Sequence, residues 1–124
     1  MSSVSFRADP PTPGGFSVRV DNHGETVVVS VAGDVDLATA PELGESISTV
    51  LERRPGLLVV DLSEVSFLAS AGMSVLIAAD QQSGEHTRFR VVAAGNATFR
   101  PMELTGLTEM FSIYPTRDQA LRQD

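Results

Sequence analysis

Leu57-Leu58-Val59-Val60-Asp61-Leu62-Ser63-Glu64-Val65-Ser66-Phe67-Leu68-Ala69-Ser70-Ala71-Gly72-Met73 is the stretch that decides the fold. Its opening run, Leu57 to Leu62, is apolar except for Asp61. A run without polar alternation predicts a strand buried on both faces, as in parallel pairing beneath helices. The residues after it read as a short loop. A second apolar run, Val75 to Ala79, predicts a helix that begins at Ser70 and ends near Gln82. That helix is apolar enough to pack on a sheet over most of its surface. Strand, turn and helix together form the repeating unit of an α/β sheet. Ser70 then has two readings. Its hydroxyl can cap the helix. It can also accept a phosphate, favoured by the helix dipole and by the free N–H groups of Ala71, Gly72 and Met73.

On the N-terminal side, Phe16-Ser17-Val18-Arg19-Val20 alternates as a half-buried strand does. Asp21 to Gly24 is turn chemistry, and Glu25 to Ala32 is a valine-rich second strand, so the pair forms a hairpin. Gly33-Asp34-Val35-Asp36-Leu37-Ala38 leads to a helix. Thr39 and Glu42 have capping-box spacing, Pro41 fits the first turn, and Leu43, Ile47, Val50 and Leu51 share one face. Arg53, Arg54, Pro55 and Gly56 end it. On the C-terminal side, Arg88 to Ala93 is a fourth strand, with Arg88 and Arg90 on one solvated face. Gly95-Asn96 opens a third helical segment that ends near Gly106 and is kept short or irregular by Pro101. Met110 to Ile113 predicts a short edge strand. Thr116 to Arg122 predicts a closing helix with a Thr116 cap and an apolar pair, Ala120 and Leu121. The order β-β-α-β-α-β-α-(β)-α predicts an α/β domain. Its mixed sheet of four to five strands starts with a hairpin and continues through right-handed parallel crossovers. Residues 1–15, rich in proline and glycine, read as a flexible tail, and residues 16–124 as the domain.

The composition removes several function classes. With 124 residues the chain has the length of one domain with one core. Its net charge of -7 opposes binding to nucleic acid or to an anionic membrane surface. It has no cysteine, hence no disulfide, thiolate chemistry or cysteine-ligated zinc. No apolar stretch approaches the roughly 20 residues of a membrane span, and the N-terminus lacks a signal-peptide pattern, so a cytoplasmic protein is expected. His23 and His86 sit in polar loops, away from any nucleophile. There is no P-loop, and Ser70 lacks the glycine two positions earlier that a nucleophile elbow needs. Asp34 and Asp36 read first as turn or cap residues, and Met73, Met102 and Met110 as core filler. No cofactor and no metal are expected.

At three places the chain resembles the STAS domain of bacterial anti-sigma factor antagonists, or anti-anti-sigma factors. Gly33-Asp34-Val35-Asp36 looks like the family's loop after the second strand. Asp61 to Met73 looks like its phosphorylation loop. Leu104-Thr105-Gly106-Leu107 with Phe111 is similar to its C-terminal signature. The resemblance spans about Phe16 to Leu121. It implies that Ser70 is the phospho-acceptor and that Asp36 lies beside it. It further implies a partner surface of Asp36, Leu37, Ala38, Thr39, Ala69, Ala71, Gly72, Met73 and Ser74. The implied partners are an anti-sigma factor with ATP-dependent serine kinase activity, which the unphosphorylated protein binds so that a sigma factor is released, and a phosphatase that reverses the modification. Such a protein is not an enzyme. Ala69 stands where the family often has Asp, and Ala71 where many relatives have a hydroxyl residue.

Three hypotheses follow. The first is this phospho-switched binding module. The second, to which Ala69 points, is a STAS subunit without phosphorylation in a larger assembly such as a lipid-transport ATPase or a stress-sensing complex. The third is an enzyme or nucleotide-binding protein using Asp34, Asp36 and Ser70, which no accompanying base or metal set supports.

Overall fold

The computed structural model describes residues 15–122. The tail expected over residues 1–15 therefore lies, apart from Gly15, outside the described residues. Five strands and four α-helices follow the expected order: β1 (Ser17–His23), β2 (Thr26–Val35), α1 (Ala40–Leu51), β3 (Leu57–Leu68), α2 (Ser70–Ser83), β4 (Arg88–Val92), α3 (Phe99–Leu104), β5 (Ser112–Tyr114) and α4 (Arg117–Arg122). A single 3₁₀ turn, Leu107–Glu109, separates α3 from β5. The sheet order is β1-β2-β3-β4-β5. β1 and β2 are antiparallel, and every later pairing is parallel. This is the mixed α/β sheet that the hairpin followed by helical crossovers predicts.

The alternation of valines in β2 explains the two layers. Val27, Val29 and Val31 join Leu58, Val60, Leu62 and Val91 in the main core, under Leu43, Ile47 and Val50 of α1 and Leu76 and Ala79 of α2. Val28, Val59 and Val92 point the other way and meet Ala120 of α4. Thr116 caps α4 as expected, accepting the Gln119 amide at 3.2 Å. Leu121 remains exposed, so Ala120 alone anchors the helix by burial.

Several local expectations are corrected. β1 runs through His23 because its whole length pairs with the valine strand, leaving Gly24 and Glu25 as the turn. α2 is less engulfed than its apolar sequence suggests. It buries Gly72, Leu76, Ala79 and Ser83, one stripe at helical spacing, while Ala78 faces solvent. Arg90 is buried and not solvated. It shares a face with Arg88, but α4 covers that face, and the Arg90 guanidinium donates to Ala120 O at 2.8 Å while lying 5.6 Å from the Tyr114 ring. Of the three methionines expected as filler, Met102 is fully buried, Met73 half-buried and Met110 exposed.

The largest correction concerns β3. The residues expected to form a loop continue the strand to Leu68. Ser30 pairs with Asp61 and Ala32 with Glu64, so β3 spends one residue more than β2 there. It does so again between the pairs Gly33–Val65 and Asp34–Phe67. Gly33 meets this second offset at φ 87°, a backbone conformation that suits glycine. Each offset rotates the following side chains, so the buried residues become Leu62, Val65 and Leu68, three apart instead of two.

Candidate functional site

Two strand-to-helix junctions meet at one end of the sheet. Val35 and Leu68, the last residues of β2 and β3, are register partners. The Ala69 amide then donates to Val35 O at 2.9 Å. The segment from Asp36 to Thr39 and the segment from Ala69 to Ser74 therefore leave the sheet side by side. That brings all of the expected site residues together.

The first junction is dense with hydrogen bonds. Asp36 Oδ1 accepts the amides of Ala38 at 3.0 Å and Thr39 at 3.1 Å. Asp36 O accepts the Ala40 amide at 2.8 Å. Thr39 Oγ1 accepts the Asp36 amide at 2.9 Å and donates to Asp34 O at 2.8 Å, with Asp36 Oδ1 3.2 Å away. The capping box expected of Thr39 and Glu42 is therefore absent: Thr39 is at φ -102°, ψ -20° and its hydroxyl turns back into the loop. Asp36 takes over part of the capping work, as aspartates ahead of helices do. Thr39 is buried, Asp36 half-buried, and Leu37 and Ala38 exposed.

The second junction is almost bare. Ala69, at φ -86° and ψ 172°, occupies the cap position of α2 and has no side chain to offer. Ser70 is the first helical residue, which corrects the expectation that it is the cap. Its side chain is exposed, and no described residue hydrogen-bonds its hydroxyl. The Gly72 and Met73 amides donate to Ala69 O at 2.9 and 3.1 Å, so they are not free as expected. The amides of Ser70 and Ala71 meet no backbone carbonyl of a described residue. Gly72 is buried because α2 presses on the sheet here. A Cβ on it would lie 2.6 Å from Val35 Cγ1 and 2.7 Å from Leu68 Cδ1. Thr39 and Gly72 thus hold the site from within, while Leu37, Ala38, Ser70 and Ser74 present side chains to solvent; Ala69, Ala71 and Met73 are half-buried.

Exposed apolar side chains surround this end. Leu37 is 82% exposed, Phe67 52% and Leu104 70%. Leu104 belongs to α3, next to Thr105, whose hydroxyl reaches Met73 Sδ at 3.5 Å. Phe67 and Leu104 were not anticipated as site residues. Phe67 escaped because the residues after Leu62 read as a loop, and only the offset continuation of β3 leaves its ring exposed. For Leu104 a signal existed: it lies in the stretch resembling the family's C-terminal signature. Neither junction segment, 34–39 or 68–74, contains a basic residue, and all nine cations of the chain are arginines placed elsewhere.

The family model described as "Mlab, STAS domain" matches residues 18–114, which span both junctions. The chain belongs to the STAS domain family. Among STAS proteins it is 40% identical to the anti-sigma-F factor antagonist RsfB of Mycobacterium tuberculosis, over 88% of this chain and 89% of that one. The crystal structure of an anti-sigma factor antagonist from Mycobacterium paratuberculosis superposes with a TM-score of 0.85 at 45% identity, covering 90% of this chain and 96% of that one. The Bacillus cell fate determinant SpoIIAA, in its phosphorylated form, shares the fold at a TM-score of 0.65 and 16% identity, with 85% and 96% covered. Among the described residues of this STAS domain, no helix is long and apolar enough to cross a membrane, and no group of His, Asp and Glu is arranged to hold a metal.

Proposed function

We propose that this STAS-domain protein is a cytoplasmic anti-sigma factor antagonist. It binds an anti-sigma factor with serine kinase activity through the surface around Ser70 and so releases a sigma factor. Phosphorylation of Ser70 ends the complex, and a phosphatase restores it. The observation that carries this reading is the state of Ser70: an exposed hydroxyl without a hydrogen-bond partner among the described residues, at the first position of a helix tightly seated on the sheet. The names of its mycobacterial relatives support the same role.

The physical case is one of charge in the wrong place. A phosphoserine adds about -1.5 to -2 charge. Neither junction segment offers an arginine to neutralise it, and Asp34 and Asp36 lie in the adjacent junction. Within the two segments, the helix N-terminus is what favours it locally. The new charge therefore faces whatever is docked on Leu37, Phe67 and Ser70. Burying it uncompensated costs on the order of a few kcal/mol, enough to end a complex without refolding the domain.

Ala69 keeps a second reading in play, a non-phosphorylated STAS subunit of a larger assembly, because the cap position lacks the carboxylate that many phospho-acceptor loops carry. Incubation with the anti-sigma kinase and ATP, followed by intact-mass measurement, separates the two. A gain of one phosphate, lost in Ser70→Ala, is the expected result. No gain favours the assembly subunit.

A further inference from the structure

Arg117 lies in α4, on the sheet face opposite α1 and α2, yet it grips the strand that ends beside Ser70. Its Nε donates to Asp61 Oδ2 at 2.7 Å and its Nη2 to Ser30 Oγ at 2.8 Å. Ser30 and Asp61 are register partners, the last pair before β3 takes up its first extra residue. The other oxygen of Asp61 holds that offset together: Oδ1 accepts the Ser63 amide at 2.9 Å and the Ser63 hydroxyl at 2.6 Å. One buried carboxylate thus ties the C-terminal helix to the irregularity in the strand.

The offset matters downstream. It sets which β3 side chains enter the core, and a slip of one residue would reverse them. With it in place, Leu62, Val65 and Leu68 are buried, Phe67 is exposed, and the Ala69 amide reaches Val35 O. α4 itself has only six residues, too few for a stable isolated helix, so its seat depends on Ala120 and on the arginine contacts from both sides of the contact.

We propose that Arg117 and Asp61 are positioning residues for Ser70: the α4 contact secures the first offset of β3, and through it the register that delivers Ser70 to the surface beside Asp36. The consequence for partner binding rests on the function proposed above; the positioning does not.

The test is residue-resolved amide hydrogen exchange on the full chain, comparing Arg117→Met, Arg117→Lys and Ser63→Ala. Arg117→Met is expected to speed exchange at Ala69 about tenfold more than in the β1–β2 hairpin, with Arg117→Lys recovering part of the protection. Ser63→Ala leaves the arginine in place and provides a milder route to the same readout. It should loosen Ala69 while leaving the Ala120 amide of α4 unchanged. Uniform acceleration over the whole sheet in Arg117→Met, or loss confined to α4, would overturn the proposal, as would unaltered Ala69 exchange in Ser63→Ala. If Ala69 loosens as expected but kinase affinity and phosphorylation rate are unchanged, the positioning stands and the reading of Ser70 as the partner site fails.

Discussion

The two junctions that meet at Ser70 are built in opposite ways. From Asp34 to Thr39, side chains and backbone exchange hydrogen bonds until the loop has one conformation. From Ala69 to Gly72 there are only small side chains, an uncapped helix start and a hydroxyl with nothing described to bond to. The first junction is fixed by polar satisfaction; the second is fixed by contact, with α2 pressed so close that Gly72 leaves no space for a methyl group. The lesson is that an exposed hydroxyl can be held in place without being engaged. Its backbone is anchored by packing and by the Ala69–Val35 bond, while its oxygen stays available.

Breaking the packed junction should have the largest effect. Gly72→Ala forces Val35 and Leu68 to move and is expected to cost about 1–3 kcal/mol in urea unfolding, with Gly72→Val costing more. Unchanged stability in Gly72→Ala would remove close packing as the device that seats Ser70. Breaking the hydrogen-bonded junction should cost somewhat less. Thr39→Val keeps the shape but strands the Asp36 amide and the Asp34 carbonyl, for about 1–2 kcal/mol. Asp36→Ala should lose a similar amount, and Asp36→Asn, which keeps one acceptor oxygen, most of it less.

Acid tests the β3 anchor that stands behind both junctions. Burial pushes the Asp61 carboxyl up, but the hydrogen bonds from the Ser63 hydroxyl and amide, together with Arg117, outweigh burial and hold it below the ordinary carboxylate value. A carboxyl depressed in the folded state contributes stability that is present above about pH 4 and is lost as the pH falls through its folded value. Asp61→Asn should therefore be less stable than the parent at neutral pH, and the gap should narrow below about pH 4. A gap that is constant with pH would mean that the Asp61 carboxyl titrates alike in the folded and unfolded chains, without the depression that Ser63 and Arg117 impose. The smallest effect is a gain. Ala69→Asp supplies the missing cap to α2 and should stabilise the domain by about 0.5–1 kcal/mol in thermal unfolding. No gain would mean that the helix start is already satisfied.

The comparison also separates what the sequence discloses from what it hides. Elements whose apolar pattern follows one period, such as Thr26 to Val31, Leu57 to Leu62 and the Leu43–Ile47–Val50 face, are legible because burial alone places them. The second half of β3 is not, since its two extra residues turn a period of two into a period of three, and Leu62, Val65 and Leu68 then match neither template. Thr39 and Ser70 both carry cap signals in the sequence, but neither side chain caps its helix: the Thr39 hydroxyl turns back to Asp34 O, and strand β3 runs on until Ala69 takes the cap position of α2. Arg90 and Arg117 look like surface residues in the sequence. Only the return of α4 across the outer face of the sheet turns one into a buried donor and the other into the partner of Asp61. The candidate site is legible through its motif and Leu104 through the C-terminal signature, whereas the exposure of Phe67 depends on the offsets of β3.

The role of Ser70 is tested most directly by the affinity of the anti-sigma kinase for the parent protein, Ser70→Ala, and the parent after phosphorylation, each checked by intact mass. The parent and Ser70→Ala should bind within a few-fold of each other, and addition of one phosphate, on Ser70 alone, should weaken binding by about a hundredfold or more. Equal binding by the phosphorylated and unphosphorylated protein, or a phosphate carried by a residue other than Ser70, would contradict it.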